Sequence, residues 1–185
     1  GLVKKVSNKG RTLTSKGIET INELNISFNK DKIAKELISL SIDDRKETLL
    51  EIIAVRKLLE QYTAAKAAEN ATPHDIQVLE DYAYTHRYLL SQGNCANAED
   101  LGFHLTIAKI SQNQTLYKIL ELLLKDNNAY VMFSEAGDDQ RDLQVTYHFR
   151  ILDAIRNKNP LEAQKAITEH LEQVSNDVEK YYQRT

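Results

Sequence analysis

From residue 28 onward the apolar residues return every three or four positions, the period that lays one face of an α-helix against a core. Only two prolines, Pro73 and Pro160, and six glycines break that rhythm, so the elements it predicts are long. A linker helix is expected near 29–40, followed by helices over about 44–69, 73–91, 95–111, 114–133, 138–157 and 160–182. Asp43 and Asp44 suit a helix start, Thr72 before Pro73 reads as an N-cap with proline at the first helical position, and Gly93 and Gly137 read as stops. Ahead of this, GLVKKVSNKGRTLT holds two β-capable pieces around Ser7–Asn8–Lys9–Gly10, which is hairpin chemistry, and SKGIETINELN reads as a brief helix. The expected fold is all-α: an antiparallel bundle of about six helices preceded by a small β-hairpin.

Composition narrows the class. A chain of 185 residues can build one domain with a real core, but two full domains would be crowded. No apolar run approaches the roughly 20 residues of a membrane span, so no membrane partner is expected. One cysteine, Cys95, excludes an intrachain disulfide, and without a signal-peptide pattern the expected compartment is the cytoplasm. The net charge of −3 argues against a surface that coats nucleic acid throughout, yet Lys4, Lys5, Lys9 and Arg11 form a local basic patch free of acids.

The candidate chemistry lies with the histidines. Asp100 and His104 stand four apart, which puts a carboxylate and an imidazole on one helical face with Phe103, Ile107 and Ala108. His148 shares a stripe with Ile151, Leu152 and Ile155, and His170 shares one with Ala163, Ile167, Val174 and Val178. Three imidazoles and a carboxylate thus face a core from three helices, which without partners costs several kcal/mol. Convergence on one divalent cation removes the cost, and an Asp with three His suits zinc or nickel with open positions for a ligand's oxygens. His74 is expected in solvent and His86 on a buried stripe, both outside this set.

Arg56 falls on the inward stripe Leu49, Ile52, Ile53, Arg56, Leu59, Thr63. Two readings stand side by side: a pair with Glu60 at i+4, or a guanidinium that caps the metal cavity and grips a ligand carboxylate bidentately.

The strings LLEIIAVRKLLEQYTAAKAAENAT, EDLGFHLTIAKISQNQTLYKIL and HFRILDAIRNKNPLEAQKAITEHL, in this order over about residues 45–178, resemble the C-terminal effector-binding domain (FCD) of FadR-type regulators in the GntR family. The resemblance implies that Asp100, His104, His148 and His170 are the metal ligands, that Arg56 faces the effector cavity, and that the effector is a small carboxylate. It also implies a cytoplasmic, homodimeric transcription regulator that meets operator DNA through an N-terminal winged helix. On this basis residues 1–24 are the wing hairpin and following helix of that DNA-binding domain, 25–44 a linker helix, and 45–185 the metal- and effector-binding domain. Since the recognition helix is missing, the chain is expected to be shortened by truncation or proteolysis and to bind DNA weakly, through Lys4, Lys5, Lys9 and Arg11. LTSKG departs from the family's Gly-rich wing ending.

Three functions compete: a ligand-sensing regulator, which is preferred and is not an enzyme; a metal-dependent hydrolase-type enzyme; and a helical interaction module without metal. Against the enzyme, no second carboxylate has a helical spacing that sets a general base beside the quartet, and Glu99 points about 100° away.

Overall fold

A computed structural model describes residues 1–7, 10–125 and 138–184. It divides into two compact units, Gly1–Leu40 and Ser41–Thr185.

In the first unit β1 (Val3–Ser7) and β2 (Gly10–Leu13) pair antiparallel, with Lys5 opposite Arg11 and Lys4 opposite Thr12. The hairpin leads into α1 (Ser15–Ser41) through Thr14, whose backbone N–H donates to Leu2 and whose hydroxyl accepts from Gly17 N–H at 3.0 Å. Gly17 is obligatory by contact: a Cβ there would lie 2.0 Å from the Leu2 carbonyl oxygen. One helix of 27 residues replaces the expected brief helix and separate linker helix. The polar residues near Asn25 and Asn29 interrupt the apolar period, but no proline or glycine after Gly17 stops helix propagation before Ser41.

The second unit is the helical bundle. Its described helices are α2 (Lys46–Asn70), α3 (Pro73–Ser91), α4 (Asn97–Ile110), α5 (Gln114–Leu124), α6 (Asp138–Arg156) and α7 (Pro160–Arg184). The expected continuation of the fourth helix to 133 and the break at Gly137 lie outside the described residues. Asp43 and Asp44 do not open α2 as helix-start acids. Asp43 instead folds back on the Arg45 backbone and guanidinium, and the N-cap position, Arg45, has no side-chain cap. The Thr72 N-cap forms as expected, with a reciprocal capping box to Asp75 and Pro73 at the first turn. Gly93, at φ +73°, closes α3 with bonds from Gly93 N–H to Leu90 and Asn94 N–H to Leu89, a Schellman stop.

Packing follows the stripes. α2 lies along α7 and meets α4, α3 packs on α4 and α6, and α6 lies on α7. Their shared core includes Leu49, Ile53, Leu79, Phe103, Ile107, Ile151, Leu152, Ile155, Ile167 and Leu171. Small residues set the closest approaches: Ala64, Ala67 and Ala68 are fully buried on α2, and a Cβ on Gly102 would come within 2.2 Å of the Tyr82 ring. α2, α4, α6 and α7 therefore turn their polar inward residues toward one another in the middle of an apolar core.

Candidate metal centre

Asp100 and His104 sit one turn apart on α4, His148 projects from α6 and His170 from α7. One donor atom from each of these four residues lies within 4.8 Å of the others. Nε2 of His148 is 3.1 Å from Asp100 Oδ1, Nε2 of His170 is 3.2 Å from Nε2 of His104, and His104 Nε2 is 3.8 Å from Asp100 Oδ1. With metal–ligand bonds of about 2.1 Å, neighbouring ligands stand about 3.0–3.4 Å apart and opposite ones about 4.2 Å. The 3.1 and 3.2 Å separations fall in the neighbouring range and the 3.8 Å one lies between the two.

The four groups converge on one buried region. His148 Nε2 is close to Asp100 but not aligned with it as a hydrogen bond, so neither of its ring nitrogens has a hydrogen-bond partner among the described residues, and the same holds for His170 Nδ1. An orphaned polar atom in a dry core costs about 1–3 kcal/mol. Burial, and then the neighbouring rings, pushes His170 well below the ordinary imidazole range. Burial lowers His148 as well, against the opposing pull of Asp100. Burial would raise the Asp100 carboxyl, but His104 and His148 outweigh it and take it well below the ordinary carboxylate range. An ionised carboxylate beside three buried imidazoles is the donor chemistry of a divalent cation site, and the residues fit such an ion.

The surrounding wall adds what periodicity did not show. Phe103 stacks on His148 at 4.5 Å between ring centroids, and His86 lies 4.7 Å from it on the other helix, α3. His86 is buried as its stripe implied, with Nδ1 lacking a hydrogen-bond partner among the described residues, and burial followed by the neighbouring His148 holds it down at about 4. His74 is exposed, as expected.

Arg56 is also buried, and its Nε donates to Glu60 Oε1 at 2.7 Å. Glu60 Oε2 lies 2.5 Å from Nδ1 of His104. This corrects one expectation: a second carboxylate does stand beside the quartet, supplied by a different helix. Burial would raise Glu60, but Arg56 and His104 together hold it at about 2, so it stays an anion bridging two cationic or donor groups. The signal for it was present in the sequence, since Glu60 continues the inward stripe one turn after Arg56, but nothing in the sequence joins α2 to His104.

Of the basic residues at the N-terminus, Lys4, Lys5 and Arg11 are exposed on the hairpin, and Lys9 lies outside the described residues.

A family model described as the FCD domain matches residues 51–173, which include Asp100, His104, His148, His170, Arg56 and Glu60. The chain belongs to the FCD family. Among curated relatives of this FCD chain, the Uxu operon regulator of Haemophilus influenzae is 36% identical over 129 residues, covering 67% of the chain and 48% of that protein. The HTH-type transcriptional regulator LutR of Bacillus subtilis is 29% identical over 163 residues, covering 84% of the chain and 73% of that protein. The FCD chain thus spans about half the length of the first of these relatives. Among solved structures, Streptococcus agalactiae GntR aligns with a TM-score of 0.61 at 21% identity, covering 95% of this chain and 74% of that one. E. coli McbR/YncC aligns with a TM-score of 0.63 at 19% identity, covering 77% and 67%. These likenesses bear out the all-α fold and the GntR-family resemblance.

Proposed function

We propose that this FCD chain is the effector-binding part of a DNA-binding transcription regulator of the GntR family, which senses a small carboxylate at a divalent metal centre. Asp100, His104, His148 and His170 would hold the ion, zinc or nickel by the nitrogen-rich donor set. The ion would supply a positive, oxygen-seeking position, and this chain's residues supply its shape and charge. Among the nearest formal charges, Asp100 and Glu60 contribute two negative and Arg56 one positive, so a divalent ion leaves the group about one unit positive and an anion is favoured at its open positions.

The observation that carries this reading is the convergence of four donors from three helices on one buried point, with imidazole nitrogens left without hydrogen-bond partners among the described residues. The relatives' names as transcriptional regulators support regulation over catalysis. Glu60, the one added carboxylate, is engaged by Arg56 and His104 and so is poorly suited to serve as a free base for hydrolysis. In the complete regulator a homodimer would couple effector binding to the presentation of winged helices on operator DNA, in the cytoplasm. No described helix is long and apolar enough to cross a membrane.

The test is elemental analysis of the purified chain followed by calorimetric titration with mono-, di- and tricarboxylates, on metal-loaded and metal-stripped protein. The expected result is one zinc or nickel per chain and carboxylate binding that needs the metal. Arg56→Lys keeps the charge but loses the fork, so carboxylate affinity should fall about tenfold to a hundredfold if Arg56 also reaches the effector. Equal binding by both proteins would confine Arg56 to its pair with Glu60. Carboxylates that bind stripped protein equally well would reduce the quartet to a structural brace.

A further inference from the structure

We propose that Glu60 is a positioning residue that sets the ligating tautomer of His104, with Arg56 dictating which Glu60 oxygen does so; this deepens the metal-centre reading above and rests on it. Glu60 belongs to α2, which contributes none of the four donors, and reaches His104 across 44 residues of sequence.

The argument counts donors and acceptors. An ionised carboxylate only accepts hydrogen bonds, and the Arg56 Nε–H only donates. Glu60 Oε1 is therefore filled by Arg56 at 2.7 Å, and Oε2, 2.5 Å from His104 Nδ1, requires a proton on that nitrogen. In a neutral ring the proton on Nδ1 leaves Nε2 as the bare lone pair. Nε2 is the atom that faces His170 Nε2 at 3.2 Å and Asp100 Oδ1 at 3.8 Å. The carboxylate thus orients the ring, selects its tautomer and raises the basicity of the nitrogen that would ligate. His104 alone has this support: Nδ1 of His148 and Nδ1 of His170 have no hydrogen-bond partner among the described residues. The centre therefore has one fixed corner, and the other two rings are placed by packing, as the Phe103 stack on His148 illustrates.

A glutamine at this position cannot do the same work, for a reason specific to the arrangement. Its side chain has one acceptor oxygen, and the Arg56 Nε–H, which only donates, meets that oxygen and not the amide NH2. The amide NH2 is then turned toward His104 Nδ1, which must become an acceptor. That moves the ring proton to Nε2, the nitrogen pointing at the cation position. Glu60→Gln should therefore impair the centre by reversing one tautomer while preserving side-chain size. Replacing Arg56 as well frees the glutamine oxygen to turn back to His104. Arg56→Met with Glu60→Gln should recover the ligating tautomer that Glu60→Gln alone loses, an outcome no simple packing role for Glu60 would produce.

The experiment uses the whole 185-residue chain. The His104 tautomer is read from 15N imidazole shifts in metal-stripped protein, and zinc affinity from competition with a chromophoric chelator. Glu60→Gln should carry its proton on Nε2 of His104 and bind zinc about 10–100-fold more weakly. Arg56→Met/Glu60→Gln should return the proton to Nδ1 and regain most of the affinity. Should Glu60→Gln alone fail to fold because the buried Arg56 has lost its carboxylate, Arg56→Met/Glu60→Gln is compared with Arg56→Met/Glu60→Leu, which offers no acceptor. Only the former should keep the Nδ1–H tautomer. An unchanged tautomer in Glu60→Gln, or equal behaviour of the two double variants, overturns the proposal. A wild type that binds neither zinc nor nickel overturns the metal reading instead, and the tautomer measurement still decides the role of Glu60.

Discussion

Removing the His148 side chain separates the metal centre from the core that surrounds it. The ring is fully buried and stacked on Phe103. His148→Ala leaves a cavity, which for large-to-small core changes costs about 2–5 kcal/mol. It also removes Nδ1, a buried nitrogen without a hydrogen-bond partner among the described residues and a liability of about 1–3 kcal/mol. The two effects oppose each other, so the metal-free variant should melt within a few degrees of metal-free wild type. Metal changes the comparison. At a free zinc concentration 100 times its dissociation constant, wild type gains about 2.7 kcal/mol, which for a chain of this size raises Tm by roughly 5–10 °C. If the lost ligand weakens binding about 100-fold, the same zinc concentration equals the variant's dissociation constant and stabilises it by only about 0.4 kcal/mol, or roughly 1 °C. The assay is a thermal melt of both proteins, stripped and then titrated with zinc and with nickel. An equal metal-induced rise in the two proteins, or no rise in wild type with either ion, would refute the reasoning.

Other outcomes follow from the packing. Thr72→Ala should cost about 1 kcal/mol in urea unfolding at pH 7 by removing the α3 capping box. Asp75, the other half of that box, is held below its ordinary range by hydrogen bonds from Thr72, so its contribution is full above the ordinary carboxylate pKa and is lost as pH falls from there through the lowered folded-state value. Asp75→Asn should accordingly destabilise at pH 7 and match wild type in acid. Gly102→Ala drives a methyl group into the Tyr82 ring and should cost about 1–3 kcal/mol, with Tyr82→Leu restoring most of it in thermal melts of the double variant. Sedimentation at tens of micromolar should give a dimer, and a strictly monomeric mass would remove the homodimer from the proposed mechanism.

Periodicity was sufficient to read most of the bundle, because an apolar stripe at 3.6-residue spacing is a property of a single helix and needs no neighbour to define it. The limits of α3, the cap at Thr72 and the inward faces carrying His104, His148 and His170 were legible for that reason. The continuity of α1 was obscured because polar positions near Asn25 and Asn29 resemble a break, whereas helix propagation depends on the absence of a backbone stop. Asp43 looked like a helix-start acid by composition, but the nearby Arg45 guanidinium draws it away. The second carboxylate of the centre was decided only by tertiary structure. Glu60 pairs with Arg56 within one helix, a contact that spacing can suggest, and meets His104 only because α2 packs against α4. Local sequence specifies which face of a helix a residue occupies; which residues of two different faces come within hydrogen-bond reach is set by how the helices pack.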